Sequence, residues 1–319
     1  MEDSLRARLS RAGATGAEVR EAARAGTLRG HTSGLAPGYA QANLVMLPEP
    51  YALAFLTYCI RNPKPCPLLE VTEVGVWEAS AVAPGSDLRK DLPRYRVWRD
   101  GVLAEECNDV TALVAGEQGG ATRWVSFLLG CSFSFEEALL SAGLPVRHLE
   151  QEKEGAEAEA SAAGGELVEQ ERERGGRVAL ARNPRNVPMY RTNLETAPAP
   201  PFGGPLVVSM RPMTPAQAVL AAEVTAAFPR VHGRPVFAGD AAAIGIHDLA
   251  APHYGDAVTI RAGEVPVLWA CGVTPQAALA RARLPLAITH APGCMLVTSL
   301  TNAQLAGAAE LAPVPGSLV

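Results

Sequence analysis

Apolar residues in this chain come in short runs, and the residues that stop each run set the predicted elements. Phe127-Leu128-Leu129 ends at Gly130, Cys131-Ser132-Phe133 follows, and a helical pattern then runs to Gly143. Ser134 as N-cap with Glu137 three residues on predicts a capping box, and Gly143 suits the left-handed position that closes a helix. Cys131, Ser132 and Ser134 would then stand where backbone amides are free and a helix dipole points outward, a setting for an anion or a thiolate. A capped core helix with a buried cysteine fits the same residues.

The same punctuation organises the rest. Residues 14–26 read as a helix with Thr15 capping, Glu18 completing a box and Gly26 closing. Glycine and proline at 34–38 lead into a short buried strand, in which Gln41 and Asn43 alternate with apolar neighbours. Their buried amides need partners, either loop backbone or a ligand. A helix is expected at about 49–61. Prolines 63, 65 and 67 then force a rigid extended path, which makes Arg61, Asn62 and Glu70 site candidates. Tyr95–Arg99 reads as a strand and Asp100-Gly101 as a hairpin turn.

From residue 204 strands alternate with helices. Pro205–Met210 is a strand and Arg211-Pro212-Met213 a turn; Thr214-Pro215-Ala216-Gln217 opens a helix. Strands follow at Val265–Gly272, Leu284–Thr289 and Met295–Leu300, with Thr274 capping a helix between the first two. This alternation predicts an α/β fold: a mixed, largely parallel sheet flanked by helices in three layers. Ligands bind beyond the carboxyl ends of such strands, so Arg211, Cys271, Thr274 and His290 are expected at the productive edge. Gly239-Asp240 and Gly255-Asp256 look like turns that aim a carboxylate, although Asx-type turns are the commoner use.

Composition narrows the options. Residues 151–176 are Glu, Ala and Gly with almost no large apolar side chain, and are expected to form a mobile acidic insertion. The net charge is -5 and no basic stripe carries interleaved aromatics, which argues against nucleic acid. No apolar run approaches the ~18 residues of a membrane span, and Met1-Glu2-Asp3 does not open a signal peptide, so a cytoplasmic protein is expected. Six scattered cysteines without a CxxC pair read as thiols. Arg182, Arg185 and Arg191 with Asn and Tyr neighbours could fork onto a carboxylate. Acids near a histidine could hold a divalent ion, but no tight ligand spacing such as HExxH is present.

Taken together these segments resemble the D-glutamate cyclase family, whose bacterial members are often called hydro-lyases. The resemblance is carried by Gly38-Tyr39-Ala40-Gln41-Ala42-Asn43-Leu44, by Arg61-Asn62-Pro63-Lys64-Pro65-Cys66-Pro67, by Gly130-Cys131-Ser132-Phe133-Ser134-Phe135-Glu136 and by Asn186-Val187-Pro188-Met189-Tyr190-Arg191-Thr192-Asn193. Ser209-Met210-Arg211-Pro212, Tyr254-Gly255-Asp256, Cys271-Gly272-Val273-Thr274-Pro275-Gln276 and Thr289-His290-Ala291-Pro292-Gly293 extend it. It implies a two-part fold, with a main three-layer domain from 1–115 and 226–319 and a smaller two-layer α+β domain, 116–225, inserted between them. It also implies dehydration of D-glutamate to 5-oxo-D-proline with a divalent metal, manganese being favoured.

Cyclisation needs a base for the amine, a clamp on the γ-carboxylate and an acid for the departing oxygen. Arg211, with Arg191 as helper, is expected to hold carboxylate, and the amides at Thr274–Gln276 to stabilise developing charge. Asp240 and Asp256, with Glu136, are candidates to hold the metal or take the amine proton, and His290 is the candidate acid. Cys131 is a weaker candidate nucleophile, having no adjacent histidine. Tyr39, Gln41, Asn43, Arg61, Tyr190, Arg191, Arg211, Thr274 and Gln276 make up the expected substrate-binding set. Glu136 and Glu137 partly neutralise their own helix start, so Gly130–Glu136 reads as a rigid polar wall presenting Cys131, Ser132 and Glu136. A hydro-lyase or isomerase of another small carboxylic acid, and a non-catalytic amino-acid-binding protein, are the rival readings. Oligomeric state is left open.

Overall fold

The computed structural model describes residues 2–116, 123–151 and 185–307. The acidic insertion beyond Gln151, and Arg182 with it, lies outside the described residues.

Helices α1 (Glu2–Leu9) and α2 (Gly16–Arg24) open the chain, and Thr15 and Glu18 form the expected box. Strand β1 (Tyr39–Pro48) runs into α3 (Glu49–Arg61). Next come β2 (Leu68–Val71), β3 (Tyr95–Arg99), β4 (Val102–Cys107), α4 (Thr111–Ala115), β5 (Trp124–Gly130) and α5 (Phe133–Ser141). After the insertion follow β6 (Met189–Glu195), β7 (Pro205–Met213), α6 (Pro215–Ala226), β8 (Phe237–Ala238) and β9 (Val265–Ala270). The last elements are α7 (Thr274–Ala282), β10 (Ala287–His290), β11 (Leu296–Thr301) and α8 (Asn302–Leu305).

The expected parallel, three-layer sheet is overturned. One sheet has the order β2-β5-β1-β10-β3-β4, with β11 also on β1, and the other has β6-β7-β9-β8. Every strand pair is antiparallel. The reason lies in the connections. A strand-helix-strand succession forces parallel neighbours only when both strands share a sheet. Here β9 belongs to the second sheet and β10 to the first, so α7 bridges two sheets.

Alternation along β1 explains the two cores of the first sheet. Ala42, Leu44 and Met46 meet the loop 79–92 and α4 on one face, while Val45 and Leu47 meet Phe55 and Tyr58 of α3 and Leu279 of α7 on the other. In the second sheet Met213, Val267 and Trp269 pack under α5 and α6, and Tyr190, Val208, Met210 and Leu268 pack under the segment 241–260. Among the described residues no helix is long and apolar enough to cross a membrane.

Candidate active site

Residues 211–213 are not the expected turn: β7 continues to Met213. Pro212 is tolerated because it lies past Ser209, the last β7 residue in register with β6, and faces Pro266 on β9. Arg211 therefore sits inside a strand on the same face as Ser209, and it is completely buried. A buried guanidinium needs a counter-charge. Glu136, in the first turn of α5, supplies it.

Nε of Arg211 donates to Glu136 Oε1 at 3.1 Å, and Nη2 donates to the same oxygen. Nη2 also reaches Ser132 Oγ at 3.3 Å, and Nη1 reaches Ser209 Oγ at 3.4 Å. The guanidinium lies over both Phe135 and Trp269, 5.1 and 5.4 Å from their ring centres, and the two rings pack on each other at 5.7 Å. Burial pushes the Glu136 carboxyl up, but Arg211 and then His148 more than offset it and hold it near 2. Glu136 is thus ionised at neutral pH. Ser134, the expected N-cap, instead accepts from Gln41 N, and Ser132 occupies the cap position with its hydroxyl turned to Arg211 and not to the helix amides. Glu137 accepts from Asn302 rather than folding back.

His148 borders this pair and His232 lies within reach of the Arg211 charge, and neither was among the residues expected in the site. His148 Nε2 lies 3.6 Å from Glu136 Oε1 and has no hydrogen-bond partner among the described residues. Its neighbour Arg147 is also buried and is tied to Glu150, Thr259 O and Glu264, which fixes the helical turn 147–151. His232 Nδ1 lies 2.7 Å from Lys64 O. A carbonyl only accepts, so Nδ1 carries the proton and Nε2 keeps its lone pair. That Nε2 is buried without a hydrogen-bond partner among the described residues. Burial, opposed by the Lys64 bond and aided by the Arg211 charge, pushes the imidazole down to about 4. His232 has φ +85°, and it reaches the site because Gly130 lets Arg230 approach: a Cβ there would stand 2.0 Å from Arg230 O.

The other expected residues are distributed as follows. Cys131 and Cys271 are buried at the ends of β5 and β9; each thiol accepts from an amide two residues on, and burial raises them to about 12 and about 11, which disfavours a thiolate. Asn43 Nδ2 donates to Gly130 O at 2.7 Å and lies against Gly272. His290 is buried, with Nδ1 3.2 Å from both N and O of Leu44; burial pushes it down to about 4, against that backbone bond. Gln276 Nε2 donates to His290 O at 3.1 Å. Thr274 does not cap; its hydroxyl bonds Val207 N and O.

Gln41 is spent on Thr32, through both its oxygen and its nitrogen. Asn62 is tied to Tyr58 O and Ala197, and Glu70 to the amides of Ala81 and Val82. Tyr39 packs with the cluster under α1 and α2. Exposed Arg61 donates to Pro198 O. Tyr190 faces away from Arg211 across its sheet and donates to Leu249 O at 2.7 Å. Arg191 is exposed and donates to Tyr254 Oη at 2.8 Å.

Asp240 and Asp256 are both exposed. The first accepts from Ala242 N at 3.0 Å and the second from Asn186 N at 2.8 Å. No group of three or more His, Cys, Asp or Glu that could hold a metal is present among the described residues. Two carboxylates committed to separate turns do not fit the oxygen cage a divalent ion requires.

The D-glutamate cyclase family model matches residues 125–162 and 170–299. A Bordetella pertussis protein is 53% identical over 298 residues, 93% of this chain and 94% of its own length. A Rubrobacter xylanophilus protein is 50% identical over 293 residues (92% and 98%), and one from Geobacillus kaustophilus 48% over 274 (86% and 90%). All three carry the name "Putative hydro-lyase". The chain belongs to the D-glutamate cyclase family.

Proposed function

We propose that the chain is a lyase of the hydro-lyase type that dehydrates D-glutamate to 5-oxo-D-proline. The observation that supports this most is the buried Arg211–Glu136 pair, with His148 Nε2 3.6 Å from Glu136 and the His232 imidazole within reach of the Arg211 charge. Arg211 has five N–H donors. It makes four hydrogen bonds, two of them to one oxygen, which leaves capacity for a substrate carboxylate.

Ring closure forms a bond between the amine nitrogen and the γ-carboxyl carbon and breaks one carbon–oxygen bond. Two protons leave the ammonium, and both end on the departing oxygen as water. Arg211, with Ser132 and Ser209, holds the γ-carboxylate and stabilises the charge that builds on it. Glu136, kept ionised, is unsuited to donate a proton; it orients Arg211. Proton transfer falls to the imidazoles: His232 Nε2 takes each of the two protons from the nitrogen and, together with His148, passes it to the leaving oxygen, so that both imidazoles end as they began. Packing of Phe135 and Trp269 on the guanidinium keeps water away and strengthens these charges. Manganese, implied by the family resemblance, finds no fitting donor set at Asp240 and Asp256, and the steps above use this chain's side chains alone.

Purified protein with D-glutamate, assayed for 5-oxo-D-proline with and without manganese, tests the reading. Turnover of L-glutamate or a hydroxy acid in place of D-glutamate would overturn the substrate. Saturable binding of D-glutamate without product would make the chain an amino-acid-binding protein.

A further inference from the structure

The two sheets repeat one plan. The order β2-β5-β1-β10 of the first matches β8-β9-β7-β6 of the second, antiparallel throughout. In each, the central strand runs into a helix, β1 into α3 and β7 into α6. Its neighbour also ends alike: β5 stops at Gly130 opposite Ala42, and β9 stops at Ala270 opposite Val208. A buried cysteine follows, Cys131 or Cys271, whose thiol accepts from the amide of Phe133 or Val273.

The match extends to side-chain bonds. Ser134 Oγ accepts from Gln41 N at 3.1 Å, and Thr274 Oγ1 accepts from Val207 N at 3.1 Å. Each bond ties a helix start to the residue just before the paired Ala42 or Val208. Each helix then leaves its own sheet. Phe135 and Leu139 of α5 pack on Val267 and Trp269 of the second sheet, while Ala278 and Leu279 of α7 pack on Val45 and Leu47 of the first. In this correspondence Gln276 takes the place of Glu136 and Leu279 that of Leu139.

Glu136 is satisfied by Arg211; Gln276 is not fully satisfied. Its Nε2 donates to His290 O at 3.1 Å and lies 3.4 Å from His290 Nε2; the orientation is assigned on the first bond, because the reversed amide would set oxygen against oxygen there. Its Oε1 is buried and has no hydrogen-bond partner among the described residues. A buried carbonyl without a donor is unusual and calls for an explanation. We infer that Gln276 is the second, neutral arm of substrate recognition, whose free Oε1 accepts a hydrogen bond from the amine of the substrate while Arg211 takes the carboxylate. This inference rests on the amino-acid reading above. The pairing is chemically matched: a neutral acceptor suits an N–H donor, and a cation suits an anion.

The test compares D-glutamate with glutarate, which lacks the amine, by titration calorimetry on the wild-type chain, Gln276→Leu and Gln276→Met. Thermal unfolding checks that each variant folds, and Gln276→Met preserves shape should the leucine fail. The expected result is a tenfold or greater loss of D-glutamate affinity with glutarate affinity unchanged. A merely structural Gln276 would weaken both ligands equally or neither, and that outcome overturns the inference. The product assay on wild type separates the two failures. Turnover of D-glutamate with unchanged selectivity in both variants sinks the Gln276 role alone. A wild-type chain that neither binds nor converts D-glutamate sinks both readings.

Discussion

The arm ending in Glu136 and the arm ending in Gln276 share a backbone plan and differ in charge. On the Glu136 side a carboxylate and a guanidinium are both taken out of water, and each is tolerable only because of the other. On the Gln276 side no charge is buried, and the imperfection is a single carbonyl without a donor. The contrast teaches that the strand-cysteine-helix turn is a neutral mount. The residue in the first turn of the helix decides what chemistry the mount carries.

The strongest way to break the comparison is to remove one charge. Arg211→Met leaves Glu136 buried without its guanidinium partner, and should abolish turnover and cost about 3–5 kcal/mol in chemical denaturation. Adding Glu136→Leu should recover most of that stability and none of the activity. A single variant as stable as wild type would show that the pair is not integral to the fold.

Acid should weaken both arms in a defined window. His232 and His290 are held near 4 when folded, against ~6.5 unfolded. Between those values the unfolded chain binds more protons, so stability falls as pH drops from ~6.5 towards 4, by up to about 3 kcal/mol for each imidazole. Glu136, held near 2, adds its own loss only below ~4.5. Denaturation midpoints against pH should show a flatter limb between 6.5 and 4 in His232→Gln and in His290→Gln. An unchanged limb in both would refute the burial argument.

The glycines give a subtler contrast. Gly130→Ala drives a Cβ to 2.0 Å from Arg230 O, backbone that cannot turn aside. Gly272→Ala meets the Asn43 amide at 2.2 Å, a side chain that can move at the loss of its bond to Gly130 O. The first should cost about 1–3 kcal/mol and the second about 1. The reverse order of melting temperatures would contradict this reading. The smallest effect is expected from Asp240→Ala and Asp256→Ala, each under about 1 kcal/mol with turnover retained in manganese-containing buffer. Lost turnover in both would return a metal role to those carboxylates.

Local signals made much of this readable from sequence. The boxes at Thr15 and Thr214, the helix Glu49–Arg61 and the hairpin at Asp100-Gly101 stand as their residues predict, because capping and turn chemistry act within a few positions. Pairing direction was not readable, since nothing local tells β10 to join a different sheet from β9. Ser134 misled for the same reason: its hydroxyl is claimed by Gln41 on another strand. Of the candidate site, Arg211, Glu136 and Ser132 were legible and do come together. His148 was visible only beside Arg147 and His232 only between Val231 and Gly233, neither with a spacing that signals chemistry.

Strand β1 has a bearing on how the protein is made. Its hydrogen-bonded neighbours β10 and β11 come from the far end of the chain, and Leu44 meets His290 across 246 residues of sequence. On the ribosome β1 is made before those partners, so the first sheet cannot close until β10 and β11 have followed it. Through that interval β5 can cover one edge of β1, but the edge that β10 and β11 will take stays open along an apolar strand, the edge most in need of shielding by a chaperone.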